Sequence, residues 1–322
     1  MREHHLRSAD GTRIKAWQTE SSGPDVLLCP GLGTMPEAWP ALGRADLGAR
    51  VHGWYHRGTL GSDRPADETR ITSADHLADA VAVLDTAGVR RCVVMGWSAG
   101  VTVACELARQ YPDLVSGLLL VAGSPGDVFG GMFGVLGMPL PVSRAVGRTT
   151  SRVLRDTGPL VDAVLHRLPV NALTAALARH SGLLRPTSAN ADVVAAARRF
   201  VGHDWGWYGR LALALAEEPP AEVSGIHCPV TVLTGRYDLL IDPRHAMRGL
   251  ATLPQVRTRM LPTSHFLPLE APDELADELH LLLDRAEAVR GAAHWRELDV
   301  PAQPVRRPEP DTHSTLTWAR IP

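Results

Sequence analysis

In VVMGWSAGVTVACELARQYP, residues 93–112, a run of apolar and small residues stops at a serine between glycines, and an amphipathic helical pattern follows at once. A buried strand gains nothing from a serine at its tip unless the hydroxyl is used. In Gly96-Trp97-Ser98-Ala99-Gly100 the serine falls where a strand must turn abruptly into a helix, and the small residues around it relieve the crowding of that turn. The turn pushes the hydroxyl out above the sheet edge. Gly-x-Ser-x-Gly alone is a weak signal, and a glycine-lined helix cap is the plainer reading. The strand before it and the helix after it identify Ser98 as a nucleophile.

The same rhythm continues on both sides. DVLLCPG, ARVHGWY, RCVVMG and VSGLLLVAG are short apolar runs, and SADHLADAVAVLDTAG between them has helical spacing. Residues 4–7 and 13–18 alternate about ADGT, whose Asp-Gly tolerates positive φ, and they predict an opening hairpin. Strand and helix in alternation predict an α/β fold, with a mostly parallel sheet covered by helices on both faces. After Gly123 the rhythm stops, and it resumes at CPVTVLTG. Residues 125–221 are mostly helical and apolar and are expected to form a cap or lid inserted into a core of residues 1–124 and 222–290. DPRHAMRGLA, VRTRMLP and PDELADELHLLLDRAEAV supply a closing helix, strand and helix. Residues 291–322 contain five prolines without periodicity and are expected to be an extended or disordered tail.

The chain of 322 residues is 45% hydrophobic, enough for one large domain carrying an insertion. Its 33 basic and 35 acidic residues are balanced and no basic run appears, so no nucleic-acid partner is expected. Cys29, Cys92, Cys105 and Cys228 lack the spacing of a zinc site or a disulfide framework. The opening MREHHLRSADGTRIKAW is charged throughout, unlike a secretory leader, and a cytoplasmic location is the expectation. From Leu114 to Val142 charge is nearly absent, but prolines and glycines interrupt the stretch, so stable membrane insertion is not expected.

A serine hydroxyl attacks only when a base removes its proton and a third group orients that base. In RTRMLPTSHFLPLEAPDELADEL, His265 falls in a loop between the last strand and the last helix, free to reach across the sheet edge. His280 sits inside a helical pattern, and His4 and His5 in the first strand. VTVLTGRYDLLIDPRH offers two carboxylates: Asp238 in the turn directly after a strand, and Asp242 before Pro243, where a helix N-cap already employs it. Asp238 is the favoured partner of His265, and Asp127 after the preceding strand is the substitute. Attack on a carbonyl creates an oxyanion that backbone N–H groups must meet. Ala99 supplies one, and LLCPGLGTM supplies Leu32 between Gly31 and Gly33, Pro30 having no N–H to give.

Together these residues resemble the α/β-hydrolase superfamily, in which nucleophile, acid and histidine follow one another in this chain order. The resemblance covers residues 4–124 and 222–288. YHRGTLGSDRP, residues 55–65, is similar to a turn that follows the fourth strand in many members, and SHFLPLEAP to the segment around their histidine. Pro30, Tyr55 and Val101 depart from the histidine, aspartate and glycine that many members have there. The resemblance implies a serine ester hydrolase working through an acyl-enzyme without metal or organic cofactor, on a small-molecule ester with an apolar acyl group. Thioesterase, carbon–carbon bond hydrolase, perhydrolase and acyltransferase activities use the same fold, and a binding protein without turnover is the alternative of another class. In such proteins the cap selects the substrate. Phe129, Met132, Phe133, Trp205 and Trp207 are expected to line the pocket, with Tyr208, Leu136 and Met138 as further choices, the alternative being that they form the cap's own core; a short or medium acyl group is the expectation.

Overall fold

The apolar runs of the sequence become the strands of one eight-stranded sheet in a computed structural model that describes residues 1–298. In chain order they are β1 (Arg2–Arg7), β2 (Arg13–Gln18), β3 (Asp25–Cys29), β4 (Arg50–Trp54), β5 (Cys92–Trp97), β6 (Val115–Val121), β7 (Val230–Gly235) and β8 (Val256–Leu261). Their spatial order is β1-β2-β4-β3-β5-β6-β7-β8. The opening hairpin is antiparallel and pairs antiparallel with β4, and every other pairing is parallel.

The central strands are apolar at consecutive positions because both faces of the sheet are covered. Val93, Met95 and Trp97 of β5 point into one core with Leu275, Leu279 and Leu282 of α9 (Pro272–Leu298). Cys92 and Val94 point into the opposite core, with Leu84 of α1 (Ser73–Ala87) and Ala104 and Leu107 of α2 (Gly100–Gln110). Each fully buried leucine contributes about 1.5–3 kcal/mol. α9 runs on through Leu298, beyond the end expected at Arg290, so the first residues assigned to the tail are helical. The remainder of that tail lies outside the described residues.

Between β6 and β7 the chain forms α3 (Leu140–Leu165), α4 (Ala172–His180), α5 (Asn190–Val201) and α6 (Trp205–Glu217). α3 and α6 approach closely through glycine: a Cβ on Gly158 would lie 2.3 Å from the Gly206 nitrogen, and one on Gly209 2.4 Å from the Arg155 nitrogen. The two ends of this segment meet, Ala221 N–H donating to Pro125 O at 3.3 Å. After β7 come α7 (Pro243–Leu250) and, after β8, the single turn α8 (Leu267–Glu270). Among the described residues no helix is long and apolar enough to cross a membrane.

Candidate active site

β5 ends at Trp97 and α2 begins at Gly100, so the chain turns within two residues. Ser98 takes φ 53°, a left-handed conformation that costs a non-glycine residue about 1–2 kcal/mol. The surrounding contacts hold it there. Its N–H donates to Val121 O at 2.9 Å and its carbonyl accepts from Val101 N–H at 3.1 Å. The flanking glycines are required by space: a Cβ on Gly100 would lie 2.2 Å from Cys29 O, and one on Gly96 2.8 Å from Gly100 O.

Asp238 follows β7 and is 1% exposed. Its Oδ1 accepts from the N–H groups of Leu240 and Ile241, both at 2.8 Å, and its Oδ2 from His265 Nδ1–H at 2.9 Å. With the proton on Nδ1, the Nε2 lone pair of His265 is free to act as a base. Three further bonds fix the histidine loop. Trp97 Nε1–H donates to His265 O at 3.2 Å, and Glu270 accepts from Ser264 N–H and its hydroxyl at 2.7 and 2.6 Å. The rival carboxylates are engaged elsewhere: Asp127 pairs with Arg144 at 2.7 Å and His245 at 3.3 Å, and Asp242 caps α7 through Arg244 N–H at 3.0 Å.

Ser98 and His265 line one cavity of about 150 Å³, together with Ala99, Gly31 and Leu32. A Cβ on Gly31 would stand 3.4 Å from Ser98 Cβ, which brings the loop after β3 directly against the serine. That loop is held from the other side as well, by His203 Nε2–H donating to Gly33 O at 2.7 Å. Among the described residues the amides of Leu32 and Ala99 donate to no protein acceptor. Nor do three or more His, Cys, Asp or Glu side chains gather there as metal ligands.

The family model described as the alpha/beta hydrolase fold matches residues 24–272. The chain belongs to the α/β-hydrolase family. An uncharacterized protein of Mycobacterium tuberculosis is 26% identical over 306 residues, 88% of this chain and 81% of its own. A putative carbamate hydrolase of Caulobacter vibrioides is 30% identical over 172 residues, 53% of this chain and 58% of that protein. A pimeloyl-[acyl-carrier protein] methyl ester esterase of Vibrio vulnificus is 31% identical over 115 residues, 34% of this chain and 40% of that one. Among solved structures, an esterase from Exiguobacterium antarcticum superposes with a TM-score of 0.66 at 16% identity, covering 88% of this chain and 100% of that one. An enol-lactonase from Burkholderia xenovorans gives 0.64 at 22%, covering 87% and 100%.

In this α/β-hydrolase the cavity roof departs from expectation. Phe129 and Met132 line it, but Phe133, Trp205 and Trp207 do not. Phe133 takes φ 55° and lines a shallow outer depression with Leu136 and Met138. Trp205 packs against Phe200 and Tyr208, its indole N–H turned to Val201 O. Trp207 donates to Arg57 O at 2.7 Å, beneath the Arg64 guanidinium and beside Ile71 and Leu211. Tyr208, Ala212 and Leu215 supply α6's share of the wall instead. They recur at i, i+4 and i+7, so one helical face reaches the cavity; Trp207 falls on another face, while Trp205 shares that face but sits at the first residue of α6, one turn short of the wall. That spacing was available in the sequence, and it sets Trp207 apart from the lining face, but not which turn of the helix reaches the cavity. Tyr208 has no hydrogen-bond partner for its hydroxyl among the described residues, and burial pushes its phenol up, so it stays protonated.

Proposed function

We propose that the protein is a serine hydrolase that cleaves a carboxylic ester through an acyl-enzyme. Ser98 Oγ attacks the ester carbonyl while its proton passes to His265 Nε2, and Asp238 stabilises the imidazolium. The Leu32 and Ala99 amides receive the oxyanion, an interaction in which one donor is worth about 3–4 kcal/mol. On collapse the carbon–oxygen bond to the leaving alcohol breaks, and His265 returns the proton to that alcohol. Water then repeats the sequence on the acyl-serine, releasing the acid and restoring Ser98. Every step uses the chain's own groups.

The observation that carries this reading is the 2.9 Å Asp238–His265 contact at the rim of the cavity that also holds Ser98. The similarity to a methyl ester esterase supports an ester as substrate. The similarity to a putative carbamate hydrolase favours a second reading, in which the carbonyl attacked is a carbamate. Incubation of wild type and Ser98→Ala with p-nitrophenyl acetate, an acyl-CoA and an aryl carbamate tests both. Wild type is expected to cleave the ester fastest, and Ser98→Ala to lose at least about 10⁴-fold in kcat and all labelling by a fluorophosphonate. Folded wild type that neither turns over nor reacts with the probe would make the protein a binder instead.

A further inference from the structure

A second cavity of about 250 Å³ lies beside the one at Ser98, and the two share Thr34, Trp97, Phe200 and Phe266 as their common wall. α4 contributes Ala175 and Ala178, and α5 contributes Val193 and Ala196. Leu184, Met35 and Leu269 close it toward the core. Among the described residues, its polar side-chain groups are the hydroxyls of Thr34 and Thr174 and the Trp97 indole N–H, which is bonded to His265 O, and no charged group lines it. At the outer end Leu168 is 50% exposed, so the space leads from the serine cavity toward solvent.

We propose that this second cavity is a substrate subsite for a hydrocarbon arm that enters from the cavity at Ser98. The inference rests on the ester-hydrolase reading and specifies its substrate class. An apolar void of this size weakens the fold and a few larger side chains would remove it, yet alanines stand at facing positions on α4 and α5. A wall without charge excludes an ionic or phosphorylated group, because nothing there would replace its water. The arm is therefore longer than the short or medium acyl group expected from the sequence. It belongs to the acid or to the alcohol half of the ester, and both present the same chemistry to the cavity.

Two substrate series separate those sources: p-nitrophenyl esters from acetate to dodecanoate, and alkyl acetates from methyl to dodecyl. In the series whose arm enters, kcat/KM rises about four-fold for each methylene buried, then levels off where the arm reaches Leu168. Ala196→Phe and Ala175→Phe each fill the cavity from a different helix, with circular dichroism reporting folding. In either folded variant the ratio of kcat/KM for the long arm to that for acetate falls at least ten-fold. An unchanged ratio in both, or no dependence on length in either series, overturns the subsite. Failure of the hydrolase reading is read separately, by titrating dodecanoate and 1-dodecanol into Ser98→Ala and following tryptophan fluorescence. If wild type cleaves no ester, but Ala196→Phe added to Ser98→Ala weakens binding at least ten-fold, the hydrolase reading fails and the subsite stands. Binding that neither substitution weakens overturns the subsite alone.

Discussion

At Asp238 the two carboxylate oxygens serve different masters: Oδ1 accepts two backbone N–H groups and Oδ2 accepts the imidazole. An amide cannot do both. In Asp238→Asn the NH₂ group faces either the Leu240 and Ile241 donors, leaving them unpaired, or His265, where it forces the proton to Nε2 and removes the base. The expected outcome in an assay on p-nitrophenyl acetate is a fall of about 10⁴-fold in kcat. Stability falls by about 1–3 kcal/mol in a urea titration if the backbone donors lose their acceptor. A variant within ten-fold of wild type would contradict the assigned role. The positions of Ser98, Asp238 and His265, each in the loop after a strand, were legible in the sequence because strand ends are where an α/β sheet delivers side chains to one edge. The bond from Trp97 to the His265 carbonyl was not, since it joins residues 168 positions apart and leaves no trace in local pattern.

The turn between β5 and α2 works because neither Gly96 nor Gly100 carries a side chain. At Gly100 an added methyl meets backbone on two sides, Cys29 O at 2.2 Å and Pro30 O at 2.7 Å, and no rotamer change relieves backbone. Gly100→Ala therefore displaces the loop after β3 and the Leu32 amide with it. We expect a loss of about 1–3 kcal/mol in the urea midpoint and a drop of at least ten-fold in kcat. Retention of both values would show that the loop can yield. Helix existence was readable from 3.6-residue spacing, as α1, α2, α6 and α7 attest. Which face of a helix meets the substrate was not, because α6 is apolar on several faces: one buries Trp207 and Leu211, another lines the serine cavity.

For the molecule as a whole, the strand–helix rhythm specified the sheet, while the charges that lock its edges are visible only in three dimensions. The Arg57 side chain is wholly buried and bonds Asp79 at 2.7 and 2.9 Å and Asp10 at 2.5 Å, joining the opening hairpin to α1. Burial opposes ionisation of Asp79, but His76 and Arg57 outweigh it and hold the carboxyl below its usual range. Arg257 and Arg259 do the same for Glu278. Both carboxylates thus add stability above an unfolded value of about 4, and that stability is lost as pH falls through their lowered folded values. His56 acts earlier. Burial, with His76 beside it, holds its imidazole well below the ordinary pKa, so the unfolded chain binds the proton more tightly and stability declines as pH drops below about 6.5. The urea midpoint followed from about pH 8 to about pH 3 should therefore fall in two steps, and His56→Phe should flatten the first. A midpoint constant between about pH 7 and pH 5 would refute the His56 contribution. The contact between Pro125 and Ala221 carries a wider consequence. The roof leaves and rejoins the platform at this seam but also grips the floor, through His203 at Gly33 O and Trp207 at Arg57 O, so exchanging the roof strips the loop after β3 of one of its props.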